Sequence, residues 1–99
     1  MTTTPNADEA NSLAKTIIEN KLAACVQILP PMTSVYVWDG SVQTEAEHLL
    51  LIKTLEEKYE DIERFINANH SYDAPEIVAI KSEKVSKEYL GWMNEYLGQ

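Results

Sequence analysis

The sequence has few cysteines, few glycines and few basic residues. Cys25 is the only cysteine, so no disulfide can form within the chain. The three glycines, Gly40, Gly91 and Gly98, are too scattered for a glycine-rich phosphate loop. The 8 basic residues against 16 acidic ones give a net charge of −8, which repels the phosphates of nucleic acids. We therefore expect no disulfide scaffold, no phosphate loop and no nucleic-acid partner.

Long hydrophobic runs are also absent. The longest plain aliphatic run, residues 49–52, is far short of the ~20 residues of a membrane-spanning helix. Residues 1–6 show no basic-then-apolar signal region. The chain has 99 residues, of which 44% are hydrophobic, and this suits one globular domain, residues 1–99. The sequence predicts a single cytoplasmic domain without membrane insertion.

The strongest local signal is a β-hairpin between residues 22 and 54. β-branched and aromatic residues flank Asp39 and Gly40 on both sides. An Asp-Gly pair supplies the positive φ angles that a two-residue hairpin turn requires. Pro30 and Pro31 cannot donate hydrogen bonds to a β-ladder. We therefore expect one long strand, bent at the prolines, that pairs with a second strand.

Apolar residues at helical spacing predict helices on both sides of this hairpin. The first helix covers residues 7–20, with Asn6 as its cap and Glu9 three residues later. Thr54 is the predicted cap of a second helix that ends near residue 69. The side of this second helix that lies opposite its apolar residues carries a run of charged residues, which indicates a face exposed to water.

The order of elements predicts the fold. Residues 77–80 are predicted to form a short strand, and Ser86 to cap a third helix. With a strand before the first helix, the order is βαββαβ, followed by an extra C-terminal helix. We therefore predict an α+β, ferredoxin-like sandwich, with its helices on one face of the sheet and a long twisted hairpin.

Residues 49–52 are apolar on both faces of their predicted strand. Successive side chains point to opposite faces, so Leu49 and Leu51 share one face, and Leu50 and Ile52 share the other. Helices cover only one face of a ferredoxin-like sheet, so a partner subunit is the simplest cover for the second face. The alternative is that the third helix wraps round to that face. We expect a homo-oligomer.

Cys25 and His70 are the candidate metal ligands. As a thiolate, Cys25 would bind a soft metal such as Cu(I); the alternative is a small buried hydrophobe. His70 lies at a predicted helix end and is followed by Tyr72, Asp73 and Glu76. Imidazole and carboxylate groups suit Cu(II) or Zn(II); the alternative is a surface or capping histidine.

Two carboxylates lie on predicted strands and need partners. Glu76 opens an otherwise apolar strand, and Lys53 is its candidate partner across the sheet or a subunit boundary. Glu47, on the hairpin arm, also needs a partner for its carboxylate. No Ser-His-Asp or Cys-His arrangement is visible in the sequence. We therefore expect no enzymatic activity.

Six segments of the chain share a pattern with one known family. They read LAACV (22–26), TSVYVW (33–38), EAE (45–47), IKT (52–54), HSYDAPEI (70–77) and YLGW (89–92). In order and spacing they resemble the CutA divalent-cation tolerance family, over nearly the whole chain. The resemblance implies a homotrimer built through long twisted hairpins, similar in build to the nitrogen-regulatory PII proteins. It implies a role in tolerance to divalent metals, copper above all, and no catalysis.

The resemblance also implies where ligands bind. It places six side chains around a cleft between subunits, the candidate metal ligands His70, Cys25 and Glu76 and the cleft residues Glu47, Lys53 and Tyr72. No obligatory cofactor is implied, and Cu(II) or another divalent cation is the expected ligand. The alternatives are a PII-like trimer that senses a small molecule in these clefts, and a structural trimer whose cation binding only reflects its acidity.

The chain departs from the family pattern at two places. The family opens with a full apolar strand, whereas here only residues 1–4 precede Pro5. We therefore expect residues 2–4 to form at most a short first strand. The family loop reads His-Pro-Tyr-Glu, and here it reads HSYD (70–73). Asp73 is one methylene shorter than Glu, so the family's ligand role does not carry over to it.

Overall fold

The structure, a computed structural model, describes residues 1–98. Its elements in chain order are β1 (Thr2–Thr4), α1 (Ala7–Glu19), β2 (Cys25–Ile28), β3 (Met32–Trp38), β4 (Ser41–Lys53), α2 (Tyr59–Asn69) and α3 (Lys87–Leu97). A short 3-10 turn, Glu56–Lys58, precedes α2. The fold is the predicted ferredoxin-like α+β arrangement, with a long hairpin, a third helix and a first strand of three residues.

The long strand β4 lies at the centre of the sheet. The order is β1-β4-β2, and every pairing is antiparallel. β3 continues from β2 beyond the two prolines and pairs with the outer half of β4. At the proline break, the ring Nδ1 of His48 donates to the Leu29 carbonyl at 3.0 Å. His48 therefore satisfies a backbone acceptor next to residues that cannot extend the ladder.

The predicted two-residue turn is confirmed. Asp39 has a φ of 55° and Gly40 a φ of 78°, so both adopt the left-handed conformation that such a turn requires. Glycine adopts this conformation without steric cost. The turn leaves β3 and β4 paired from Trp38 and Ser41 down to Met32 and Glu47.

The hydrophobic core lies between the sheet and the two helices α1 and α2. Ile17 of α1, Ile66 of α2 and Leu50 of β4 are completely buried. In β1, Thr2 pairs with Leu50, so its side chain points to the same face, where it too has no exposed surface. This face of β4 is therefore sealed by the chain itself.

Two of the three predicted helix caps are confirmed. The Asn6 side chain accepts the Glu9 amide at 2.8 Å, and the Ser86 hydroxyl accepts the Tyr89 amide at 3.3 Å. The prediction for Thr54 is wrong, because its hydroxyl donates to the Leu22 carbonyl at 2.6 Å instead. The chain enters α2 through the 3-10 turn, without a side-chain cap.

The prediction of a strand at residues 77–80 is also wrong. The Met1 ammonium donates to the Val78 carbonyl at 2.7 Å, and the Val78 amide donates to the Met1 carbonyl at 3.1 Å. These two bonds make one pair of the antiparallel kind beside β1. Past this pair, residues 79–80 form no ladder with the described part of the chain, and the Ile80 side chain is 71% exposed.

The opposite face of the sheet carries Leu49 and Leu51, which are half-buried. α3 reaches one end of this face, where Tyr89 lies beside Lys53. The C-terminal end of α3 is anchored to α1, because the Tyr96 hydroxyl donates to the Ile18 carbonyl at 2.5 Å. Within residues 1–98, no helix has the length and apolar character that a membrane crossing requires.

Candidate functional site

The His70 side chain is buried, and both of its ring nitrogens have hydrogen-bond partners. Its Nε2 lies 2.6 Å from the Thr3 carbonyl, and the Tyr72 amide lies 3.0 Å from its Nδ1. A carbonyl only accepts, so Nε2 carries the hydrogen; the amide donates, so Nδ1 carries the lone pair. The side chain has no exposed surface. α2 ends just before His70, so the ring lies between the end of this helix and strand β1.

Glu9, in the first turn of α1, lies next to this ring. Its Oε2 is 3.5 Å from His70 Nδ1 and accepts the Ser71 amide at 3.1 Å. The sequence identified Glu9 only as the partner of the Asn6 cap, because no local signal reports a contact with a loop so distant in the chain. Glu9 is thus a residue of this site that sequence reasoning missed.

Tyr72 and Glu47 are in direct contact within one chain. The Tyr72 hydroxyl donates to Glu47 Oε2 at 2.9 Å, and the ring centroids of His70 and Tyr72 are 4.8 Å apart. Burial raises the pKa of the Tyr72 phenol, and its hydrogen bond to the Glu47 carboxylate raises it further. Glu47 is only 8% exposed, yet no Lys, Arg or His within residues 1–98 forms an ion pair with it.

Cys25 and Lys53 form a second group at the far end of β4. They are direct partners in the β2–β4 ladder, so their side chains share a face. The Lys53 ammonium lies 5.7 Å from the centroid of the Tyr89 ring. Loss of hydration raises the pKa of the Tyr89 phenol, and the neighbouring Cys25 thiol adds to the effect. Tyr89 lies in the family-like segment YLGW (89–92) but was not among the predicted site residues.

Glu76 lies in a third place and is exposed. Its carboxylate is close enough to the Met1 ammonium to influence it. Burial lowers the pKa of that ammonium, and the charge of Glu76 acts in the opposite direction. The expected pairing of Glu76 with Lys53 does not occur within the chain.

The six predicted site residues therefore occupy three separate places in one chain. Cys25 lies on one edge of β4, whereas His70 contacts β1, which pairs with the other edge. Glu47 and Lys53 share a face of β4 but lie six residues apart, or ~20 Å along the strand. Within residues 1–98, no three His, Cys, Asp or Glu side chains are grouped closely enough to hold a metal ion.

Known sequences resemble this chain over nearly its full length. It is 45% identical over 91 residues to the chloroplastic protein CutA of Arabidopsis thaliana, covering 92% of this chain and 50% of that one. It is 41% identical over 96 residues to the divalent-cation tolerance protein CutA of Thermus thermophilus, covering 97% and 93%. The chain thus spans about half the length of the plant relative and nearly all of the bacterial one.

Solved structures give the same result. The CutA structure from Archaeoglobus fulgidus, described as a periplasmic divalent cation tolerance protein, matches with a TM-score of 0.94 and 38% identity, covering 97% of this chain and 93% of that one. CutA1 from Oryza sativa matches with a TM-score of 0.93 and 44% identity, covering 96% and 87%. The family model described as CutA1 divalent ion tolerance protein matches residues 1–96. The chain therefore belongs to the CutA1 divalent ion tolerance family.

Proposed function

We propose that the chain is a non-enzymatic divalent-cation tolerance protein that assembles as a homotrimer and binds metal ions, with copper as the first metal to test. The family name supports the tolerance role. The observation that carries the assembly is the exposed apolar surface of the hairpin. We also propose a cytoplasmic location. One relative is named as chloroplastic and one solved structure as periplasmic, so the names of the relatives do not establish the compartment.

The outer part of the hairpin exposes apolar side chains on both faces. Val35, Val37 and Val42 lie on one face and are 65%, 68% and 71% exposed. Tyr36 and Trp38 lie on the other face and are 38% and 59% exposed. Soluble proteins rarely leave such contiguous apolar surface in water. Further copies of the chain are the cover we propose.

The predicted cleft also needs more than one chain. Within one chain, Glu47 and Lys53 lie ~20 Å apart on one face of β4, so a single subunit cannot bring them together. Glu47 is buried without an ion-pair partner in residues 1–98. A buried carboxylate gains most from a cation beside it. We propose that Lys53 of a neighbouring copy approaches Glu47 and Tyr72.

Metal binding is supported by the state of His70. An imidazole ligates a metal through a nitrogen lone pair, and the lone pair of His70 Nδ1 now accepts the Tyr72 amide at 3.0 Å, so a metal would exchange with this bond. Nitrogen ligands favour Cu(II) over Mg(II) and Ca(II). The net charge of −8 also attracts cations without any site. Saturable binding that persists in salt distinguishes a site from this diffuse attraction.

Light scattering during gel filtration tests the assembly. We expect a mass about three times that of the 11.2 kDa chain. Val37→Lys adds one positive charge to the exposed face of the hairpin and should lower the mass toward one chain, because burying an unpaired charge costs several kcal/mol. Asn67→Lys adds the same charge on the exposed side of α2 and should leave the mass unchanged. A wild-type mass of one chain at every concentration would remove the trimer from the proposal.

A further inference from the structure

We infer that Glu9 and His70 together ligate a divalent cation, through Glu9 Oε2 and His70 Nδ1. This inference rests on the proposed metal binding and adds a ligand that neither the sequence nor the family resemblance assigned. It also names the ring nitrogen that binds. Four observations carry it: the distance between the two atoms, the tautomer of the ring, the access to the pair and the donor types.

The distance between the two atoms suits a shared metal ion. Glu9 Oε2 and His70 Nδ1 are 3.5 Å apart. Ligands that bind Zn(II) from ~2.0–2.2 Å at tetrahedral or octahedral angles lie roughly 3–3.5 Å from each other. The pair therefore needs little movement to hold one ion between its oxygen and its nitrogen.

The ring is already oriented for this role. Its Nε2 hydrogen is donated to the Thr3 carbonyl at 2.6 Å, so the lone pair is on Nδ1, which accepts the Tyr72 amide at 3.0 Å and lies 3.5 Å from Glu9 Oε2. Histidines that bind metals usually donate their other ring hydrogen to a backbone carbonyl or a carboxylate in this way. That bond fixes the tautomer and the ring plane before any ion arrives.

The ion reaches the pair from the Glu9 side. The His70 side chain is fully buried, whereas that of Glu9 is 20% exposed. A cavity of about 180 Å³ opens beside Glu9, with Ser12, Thr16 and Asn69 among its lining residues. His70 does not line this cavity, so its room for water molecules lies beside Glu9.

Binding exchanges one contact for another in the loop. The Tyr72 amide now donates to His70 Nδ1 at 3.0 Å, and a metal on that nitrogen replaces this bond. The Tyr72 hydroxyl is bonded to Glu47 at 2.9 Å. Metal binding is thereby coupled to the Tyr72–Glu47 contact on the far face of the sheet.

The donor set selects the metal. One imidazole nitrogen, one carboxylate oxygen and water suit Cu(II), Zn(II) and Ni(II). The pair has no sulfur for Cu(I), and a nitrogen ligand disfavours Mg(II) and Ca(II). Because only two protein ligands take part, we expect weaker binding than in a closed structural zinc site.

Titration of the full chain with Cu(II) alone, and with Zn(II) alone, at physiological salt tests the inference. Glu9→Gln keeps an oxygen that accepts the Ser71 amide but removes the anionic ligand. Asp8→Asn removes the same charge from an exposed neighbour in the same helical turn. We expect Glu9→Gln to weaken binding by about tenfold or more and Asp8→Asn to weaken it by less than about twofold. Equal effects of the two variants would overturn the role of Glu9.

A third variant separates this inference from the proposed metal binding. If His70→Gln abolishes saturable binding while Glu9→Gln retains it, the inference is wrong and metal binding at His70 stands. If His70→Gln binds like the wild type, both the inference and metal binding at His70 are wrong. Should His70→Gln fail to fold, pulsed electron paramagnetic resonance of the Cu(II) complex of His48→Gln, in which His70 is the only histidine, decides the His70 part. A coordinated imidazole that is lost or weakened in Glu9→Gln supports the pair, and a complex without imidazole contradicts it.

Discussion

The two halves of β4 share one backbone ladder but differ in what covers them. The inner half, residues 48–53, has β1 on one edge, β2 on the other and α1 against one face. The outer half, residues 41–46, pairs with β3 alone. Leu50 of the inner half is fully buried, and Val42 of the outer half is 71% exposed. Apolar composition alone therefore does not decide burial in this strand.

The comparison shows which half of β4 the chain covers by itself and which half it leaves for the other copies that we propose. Hydrogen bonding runs through both halves, so the outer half does not lack ladder partners on its β3 side. It lacks side-chain cover on both faces. We therefore assign the inner half to the stability of the subunit and the outer half to the proposed assembly.

The largest effect is expected at Leu50. Leu50→Ala removes a side chain with no exposed surface and should lower the free energy of unfolding by about 2–5 kcal/mol, because it leaves a cavity between the sheet and α1. Chemical denaturation measures this loss. A loss below about 1 kcal/mol would show that the inner half is not the core of the subunit.

Val42→Ala is the matched change in the outer half. If nothing covers Val42, the loss should stay below about 0.5 kcal/mol, as for other surface changes. If another copy covers it, the loss should approach about 1–2 kcal/mol per chain, because two buried methyl groups are removed. We predict the larger loss, and this loss should disappear on dilution to single chains.

A smaller effect is expected in β1, which flanks the inner half. The Thr2 hydroxyl is the one buried side-chain oxygen or nitrogen without a partner in the described part of the chain. Thr2→Val should therefore stabilise the fold by about 1 kcal/mol, since an unsatisfied polar group is replaced by a methyl group of similar size. Thermal unfolding measures the change.

Thr4→Val is the control for Thr2→Val. Thr4 is equally buried, but its hydroxyl donates to the Asn6 carbonyl at 3.1 Å. The same substitution should cost about 1 kcal/mol there, because a hydrogen bond is lost. Equal shifts of the two variants would show that the Thr2 hydroxyl is not an unsatisfied group.

The smallest effect is expected at Tyr72, whose hydroxyl contacts Glu47 between the two halves of β4. Its phenol pKa is raised above the ordinary value by burial and by Glu47. The protonated phenol therefore adds stability that is fully present below pH ~10 and is lost as pH rises above that value, where the unfolded chain ionises first. In denaturation at alkaline pH, Tyr72→Phe should lose less stability than the wild type. Identical slopes would place Tyr72 in water.

The pH control is Tyr59→Phe. The Tyr59 hydroxyl donates to Glu63 at 2.9 Å on an exposed surface, and this bond is the largest cause that raises its phenol pKa. Solvent weakens such surface pairs. We therefore expect Tyr59→Phe to change the alkaline slope less than Tyr72→Phe does.

Features set by neighbouring residues were predictable from the sequence. The Asp39–Gly40 turn and the Asn6 and Ser86 caps depend on contacts within a few residues. Thr54 matches a capping pattern as well as Asn6 does, but its hydroxyl bonds to Leu22, from another part of the chain. The residues near Thr54 in the sequence therefore do not indicate that its partner is Leu22.

The strand and the site depended on contacts between distant segments. Residues 77–80 have the composition of a strand, yet a strand also needs backbone beside it, and Met1 supplies one pair. Glu9 and His70 meet because α1 packs against β1 and the His70 ring, just after α2, contacts the Thr3 carbonyl of β1. No sequence pattern near Glu9 or His70 indicates this contact. The sequence could therefore propose His70 as a ligand but not Glu9.

Trp38 at the outer end of the hairpin tests the central claim, that other copies cover this half. It is 59% exposed in the single chain. In the Trp92→Phe variant Trp38 is the only tryptophan, and its fluorescence can be followed from concentrated to very dilute protein. We predict a blue-shifted emission maximum, typical of a buried indole, that moves to longer wavelength as light scattering falls from three chains to one. Emission typical of an indole in water while the mass is still that of three chains would contradict the account.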